Sequence, residues 1–145
     1  MSTGLPVFDT TVQESNAWLK AIEARLPPCD RQQAYAAFRA AGHVLRDRLP
    51  MEAVLGLSAQ LPMLLRGVFL EGWRPVEGAL DIRGADDFGA EIERRFPPAF
   101  PKRGVEAAEA VFRVMVDHLD PGETRKLAER LPKSLRALWP AAHTV

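Results

Sequence analysis

A single cysteine, Cys29, stands among 145 residues. One thiol closes no internal disulfide and supplies no thiolate zinc cluster, so a disulfide-stapled scaffold and a zinc finger are both excluded. No run of about 18 apolar residues occurs, which excludes a membrane-spanning helix. The opening Met1-Ser2-Thr3-Gly4-Leu5-Pro6 lacks the basic and apolar regions of a secretory signal, so the expected compartment is the cytoplasm. Neither charge is in excess. Nineteen Lys and Arg balance nineteen Asp and Glu, which argues against a broad basic binding surface but leaves room for a local patch. Glycine-rich phosphate loops and a Gly-x-Ser-x-Gly elbow are absent, and catalysis has little to rest on.

What is present suits one soluble domain. The chain is 47% hydrophobic and 26% charged, too apolar for disorder. Sliding it by 70 residues brings its halves into register: residues 16–69 and 86–139 share 15 identities in 54 positions without a gap. Three of these are prolines, Pro27/Pro97, Pro28/Pro98 and Pro62/Pro132. The expected organisation is a single helical domain over 8–139, with internal repeats 8–69 and 78–139. A linker of about 71–84 carries Gly72, Pro75, Gly78 and Gly84.

Each unit reads as three or four helices. Thr11 with Glu14 and Asp30 with Gln33 have capping-box spacing, and the apolar residues that follow recur every three to four positions. Pro50 suits the first position of a third helix, and Asp120-Pro121 is a cap followed by proline. Pro62 and Pro132 would each break a backbone bond mid-helix, so each marks a kink or the start of a short fourth helix. Leu80-Asp81-Ile82 alternates but is too short for a strand. The fold class is therefore all-α: two tandem related units packed as one bundle-like domain, because a lone unit of about 60 residues is marginal.

Four charged positions recur: Glu23/Glu93, Arg25/Arg95, Asp47/Asp117 and Arg66/Arg136. The sequence suggests structural ion pairs between Asp47 and Arg66 and, in the second unit, between Asp117 and Arg136. His43, His118 and His143 do not make a two-histidine helical motif, and no metal or cofactor is expected. Cys29 has one nearby cation, Arg31, and reads as an inert thiol. The acids Asp86 and Asp87 suit a helix N-terminus without any chemistry.

The most apolar stretch is Leu61 to Leu70. Its plain reading is a core helix. However, Lys133 and Ser134 stand in the second unit where the first has Met63 and Leu64, which predicts that these two positions face solvent. Met63, Leu64, Val68, Leu70 and Trp73 form the candidate interaction surface.

Several segments carry a family resemblance. They are Phe8-Asp9-Thr10-Thr11-Val12, Trp18-Leu19, Ala34-Tyr35, Leu45-Arg46-Asp47-Arg48-Leu49-Pro50, Ala59-Gln60-Leu61-Pro62-Met63-Leu64-Leu65-Arg66-Gly67 and Glu71-Gly72-Trp73-Arg74-Pro75. On these the chain resembles a prokaryotic family, domain of unknown function 2267, from about Phe8 to Trp139. The resemblance implies a bacterial, helical, soluble protein and carries over no reaction, substrate or functional residue. Fifteen Arg to four Lys also suits a GC-rich bacterial genome. The expected role is a non-enzymatic protein–protein interaction module with an unknown protein partner or self-association, and without a membrane. One alternative is a small-ligand binder or enzyme using a cleft between the halves. Another is a weak nucleic-acid binder through Arg125, Lys126, Arg130, Lys133 and Arg136, diluted by Glu123 and Glu129.

Overall fold

The computed structural model describes residues 2–75 and 80–140, and within them eight helices and no strand. The first is α1 (Pro6–Arg25), with proline in its opening turn, where the missing N–H has no helical partner to lose. Its buried stripe, Thr11, Ser15, Trp18, Leu19 and Ile22, has helical spacing. The predicted cap at Thr11 is corrected. The helix starts upstream, where the Leu5 carbonyl accepts the Phe8 and Asp9 N–H groups. The Thr11 hydroxyl accepts the N–H of Leu64 at 3.1 Å, capping a different helix.

Helix α2 (Arg31–Arg48) opens with the predicted capping box. Asp30 accepts from Gln33 N–H at 2.8 Å, and the Gln33 side chain returns the bond to Asp30 N–H at 3.0 Å. Every residue from Ala40 to Arg46 is buried, which makes α2 a central helix. Helix α3 (Met51–Gln60) follows Pro50, which stands at the N-cap, one position before the predicted one. Pro62 then separates α3 from α4 (Met63–Leu70), so it begins a fourth helix rather than kinking the third.

After residues 76–79, which lie outside the described residues and include the predicted start of the second unit, the chain is strapped onto α2. Leu80 N–H donates to the Asp47 carbonyl at 2.7 Å, and Ile82 is buried. Helix α5 (Ala85–Arg94) then packs against α6 (Gly104–His118). Their contact requires two glycines, because a Cβ on Gly104 would overlap the Gly89 carbonyl. The Glu93 carboxylate accepts Gly104 N–H at 2.8 Å. Helices α7 (Pro121–Arg130), capped by Asp120, and α8 (Lys133–Arg136), after Pro132, complete the order.

The core joins both halves. Phe38, Phe69, Phe88 and Phe112 are almost wholly buried, each stabilising the fold by about 1.5–3 kcal/mol through apolar burial. Helix α1 packs on α6 as α2 does on α5, while α2 meets α6 and α3 meets α7. Helices α3 and α7 have bounds that differ by 70 residues at both ends.

The recurring charges follow this reciprocal packing, which corrects the expected pairs. Asp47 does not turn to Arg66: it accepts from Arg46 at 2.8 Å and from Arg95 at 2.9 Å. Asp117 lies 3.6 Å from Arg25 and 3.9 Å from Arg113. The arginines expected as their partners serve backbone instead. Arg66 donates to the carbonyls of Ser58, Ala59 and Leu61 at the end of α3, and Arg136 to those of Glu129 and Leu131 at the end of α7. A helix C-terminus exposes unpaired carbonyls with partial negative charge, so an arginine fork fits there without an acidic side chain.

Candidate interaction site

Helix α4 buries Leu65 and Phe69 and leaves the opposite side open. On that side Met63 is 49% exposed and Leu64 48%, as the comparison with Lys133 and Ser134 anticipated. The other candidate residues do not join them fully. Val68, Leu70 and Trp73 are half-buried and packed against the core. Trp73 lies beyond the end of α4, beside Pro50, Met51, Arg46 and Asp47, around a cavity of about 90 Å³.

Further open apolar residues lie on two of the helices packed against α4, namely α1 and α3. The bond from Leu64 N–H to the Thr11 hydroxyl sets the first turns of α1 beside α4, and Val7 and Phe8, one turn before Thr11, are exposed. Arg66 ties α4 to the end of α3, whose Met51, Leu55 and Ala59 form an open stripe at i, i+4 and i+8. The signal for α3 was present in the sequence. The residues 70 positions on are Pro121, Arg125 and Glu129, so the substitution of polar for apolar seen at Lys133 and Ser134 recurs in α7 at Arg125 and Glu129. All five of these second-half positions are exposed.

The end of α4 is held from α2. His43 Nε2–H donates to the Val68 carbonyl at 2.6 Å, and because a carbonyl only accepts, Nε2 carries the proton. Arg46, 4% exposed, donates to the carbonyls of Phe69 and Glu71 at 2.9 and 2.8 Å while its remaining nitrogens meet Asp47. Burial pushes the His43 pKa down, with the Val68 bond opposing it in part. Burial pushes Asp47 up, but the bonds and charges of Arg46 and Arg95 outweigh it and hold the carboxyl below its ordinary value. The bond from Arg39 to Glu71 holds that exposed carboxyl low as well. Every polar atom of the Arg46 guanidinium thus faces an acceptor within the fold, which makes the cluster a clamp on α4.

Between the halves, α3 and α7 border a cavity of about 290 Å³. Leu57, Leu119 and Leu127 line it and are buried; the charged residues around it, Glu52, Glu123, Lys126, Glu129 and Arg130, lie further out toward solvent. Glu52 pairs with Arg130, and Lys126 with Glu123 at 3.8 Å. Cys29 is half-buried, and burial pushes its thiol up, away from the nucleophilic thiolate. Among the described residues no group of three or more His, Cys, Asp and Glu is placed to hold a metal ion; His143 lies outside them. No helix among them is long and apolar enough to cross a membrane.

The family model described as uncharacterized conserved protein, DUF2267, matches residues 15–138. The chain belongs to this family. No curated protein matches it. In this DUF2267 protein the matched span runs from Ser15 to Leu138, so it includes α2 to α8 and the open faces of α3 and α4. It leaves out the exposed first turns of α1.

Proposed function

We propose that this DUF2267 protein is a non-enzymatic protein–protein interaction module whose partner seats on the apolar face shared by α3, α4 and the first turns of α1. One observation carries the reading. At positions open to solvent in both halves, the first half has Leu55, Met63 and Leu64, where the second has Arg125, Lys133 and Ser134. The fold itself tolerates polar residues there, so the apolar set has a use outside the fold. Covering it removes large apolar side chains from water at about 25 cal/mol per Å². The same comparison supports a duplicated helical unit, and so do the arginine caps at the ends of α3 and α7. The reading places the protein in the bacterial cytoplasm.

The test is capture from cell lysate by wild type and by a Met63→Lys, Leu64→Ser double variant, which copies the second half's polarity into the first. The expected outcome is loss of a specific partner with helix content and melting temperature retained. An identical set of captured proteins overturns the reading. A small-ligand site is the second reading, favoured by the cavity between α3 and α7, whose volume lies at the lower end for ligand sites. Its solvent-facing charges, with Glu52 paired to Arg130 and Glu123 to Lys126, support binding over catalysis.

A further inference from the structure

We infer that the cavity between α3 and α7 takes a small amphipathic amine, its hydrocarbon body on the leucine floor and its ammonium group at Glu129; the inference rests on the small-ligand reading above. The two helices run antiparallel. At one end the Gln60 side chain of α3 accepts the Asp120 N–H at 3.5 Å, and at the other Glu52, in the first turn of α3, pairs with Arg130 in the last turn of α7. Glu52, Gly56 and Gln60, four apart, put one side of α3 on the cavity, as Glu123, Lys126 and Arg130 do for α7.

A difference in side-chain size keeps the space open. Leu57, Leu119 and Leu127 floor it and are buried. Beside them α7 carries Glu123 and Lys126, where α3, 70 residues earlier, carries only Ala53 and Gly56. A Cβ on Gly56 would meet nothing within 4 Å, so no contact inside the chain requires a glycine that weakens its helix relative to alanine. An apolar floor with a few polar groups at its edge is the usual makeup of a small-molecule site.

Charge selects the polar end of the ligand. The acids bordering the cavity are Glu52, Glu123 and Glu129, and the bases are Lys126 and Arg130. Arg130 is committed to Glu52, and Lys126 to Glu123 at 3.8 Å. Glu129 is the acid left over. Among the described residues no base pairs with its carboxylate, and Arg136 reaches only its backbone carbonyl, at 3.3 Å. Asp120, beside Gln60, is a further acid. An ammonium group therefore meets a surplus carboxylate, whereas a ligand carboxylate meets like charge.

Titration of the full chain with hexylammonium, hexanol and hexanoate, followed by amide chemical shifts, tests this. Shifts are expected around Ala53, Gly56 and Leu127 at about millimolar affinity, tightest for the ammonium and weakest for the carboxylate. Glu129→Gln is expected to weaken hexylammonium about two- to fivefold and leave hexanol unchanged. Gly56→Leu fills the space and is expected to abolish binding of all three, with the melting temperature unchanged or raised, because leucine favours a helix over glycine. Hexanol or hexanoate binding as tightly as hexylammonium, or a Glu129→Gln variant without effect, overturns the choice of an amine and leaves the small-ligand reading standing. No shift around the cavity with any of the three, or binding unchanged in Gly56→Leu, overturns both.

Discussion

The guanidinium of Arg95 on α5 donates to the carboxylate of Asp47 on α2 at 2.9 Å. Seventy residues before Arg95 and seventy after Asp47, Arg25 faces Asp117 at 3.6 Å. The recurring acids and bases therefore join one half to the other. The two bridges differ in depth, since Asp47 also neutralises the buried Arg46, whereas Arg25 is half-exposed. Asp47→Ala is expected to destabilise the protein by about 3 kcal/mol, because it strands a buried guanidinium. Asp117→Ala is expected to cost at most about 1 kcal/mol. Urea denaturation of both variants measures the contrast.

Stability is expected to fall with acid in two stages. His43 has a folded pKa below its ordinary 6.5, so the unfolded chain takes the proton first and stability declines as pH drops below that value toward the folded one. Asp47 has a folded pKa below 3.8; its contribution is complete above that value and is lost as pH falls through the lower, folded value. His43→Gln is expected to flatten the upper stage and leave the lower one. Denaturant midpoints measured from about pH 8 to pH 3 check this.

Arg66 closes the end of α3 with three backbone bonds, and a lysine cannot reproduce its planar fork. Arg66→Ala and Arg66→Lys are both expected to lose about 1–2 kcal/mol. Arg136→Ala is expected to lose less, because Arg136 is exposed and holds two carbonyls rather than three. Equal losses at both sites in urea melts would refute this account of the caps.

Gly104→Ala forces a Cβ into the Gly89 carbonyl, and backbone cannot yield as a side-chain tip does. The expected loss is about 3 kcal/mol, seen as a lower thermal midpoint and a separation of α5 from α6.

Local features of this fold are legible in the sequence. The Asp30–Gln33 box and the Asp120 cap act within a single turn, so their spacing alone reports them. Thr11 misled because its hydroxyl serves Leu64, 53 residues away, and the spacing to Glu14 cannot reveal that. Recurrence of Asp47 and Arg66 showed that their surroundings are repeated but not which half supplies the partner. Arg95 was equally visible as a recurring base, and only the packing of α5 on α2 selects it. Within the apolar face, Met63 and Leu64 stood out through Lys133 and Ser134, whereas Phe8 has no comparable contrast to expose it. Residue type alone points to Trp73 as part of the face, yet the chain turns after α4 and tucks it beside Pro50.

The bridge between Asp47 and Arg95 spans 48 residues and the gap between the two halves. During synthesis, a nascent chain that has emerged only as far as α4 holds Arg46 and Asp47 together while the second arginine is still inside the ribosome. The ion pair that joins Asp47 to the second half therefore closes only after α5 has left the ribosome.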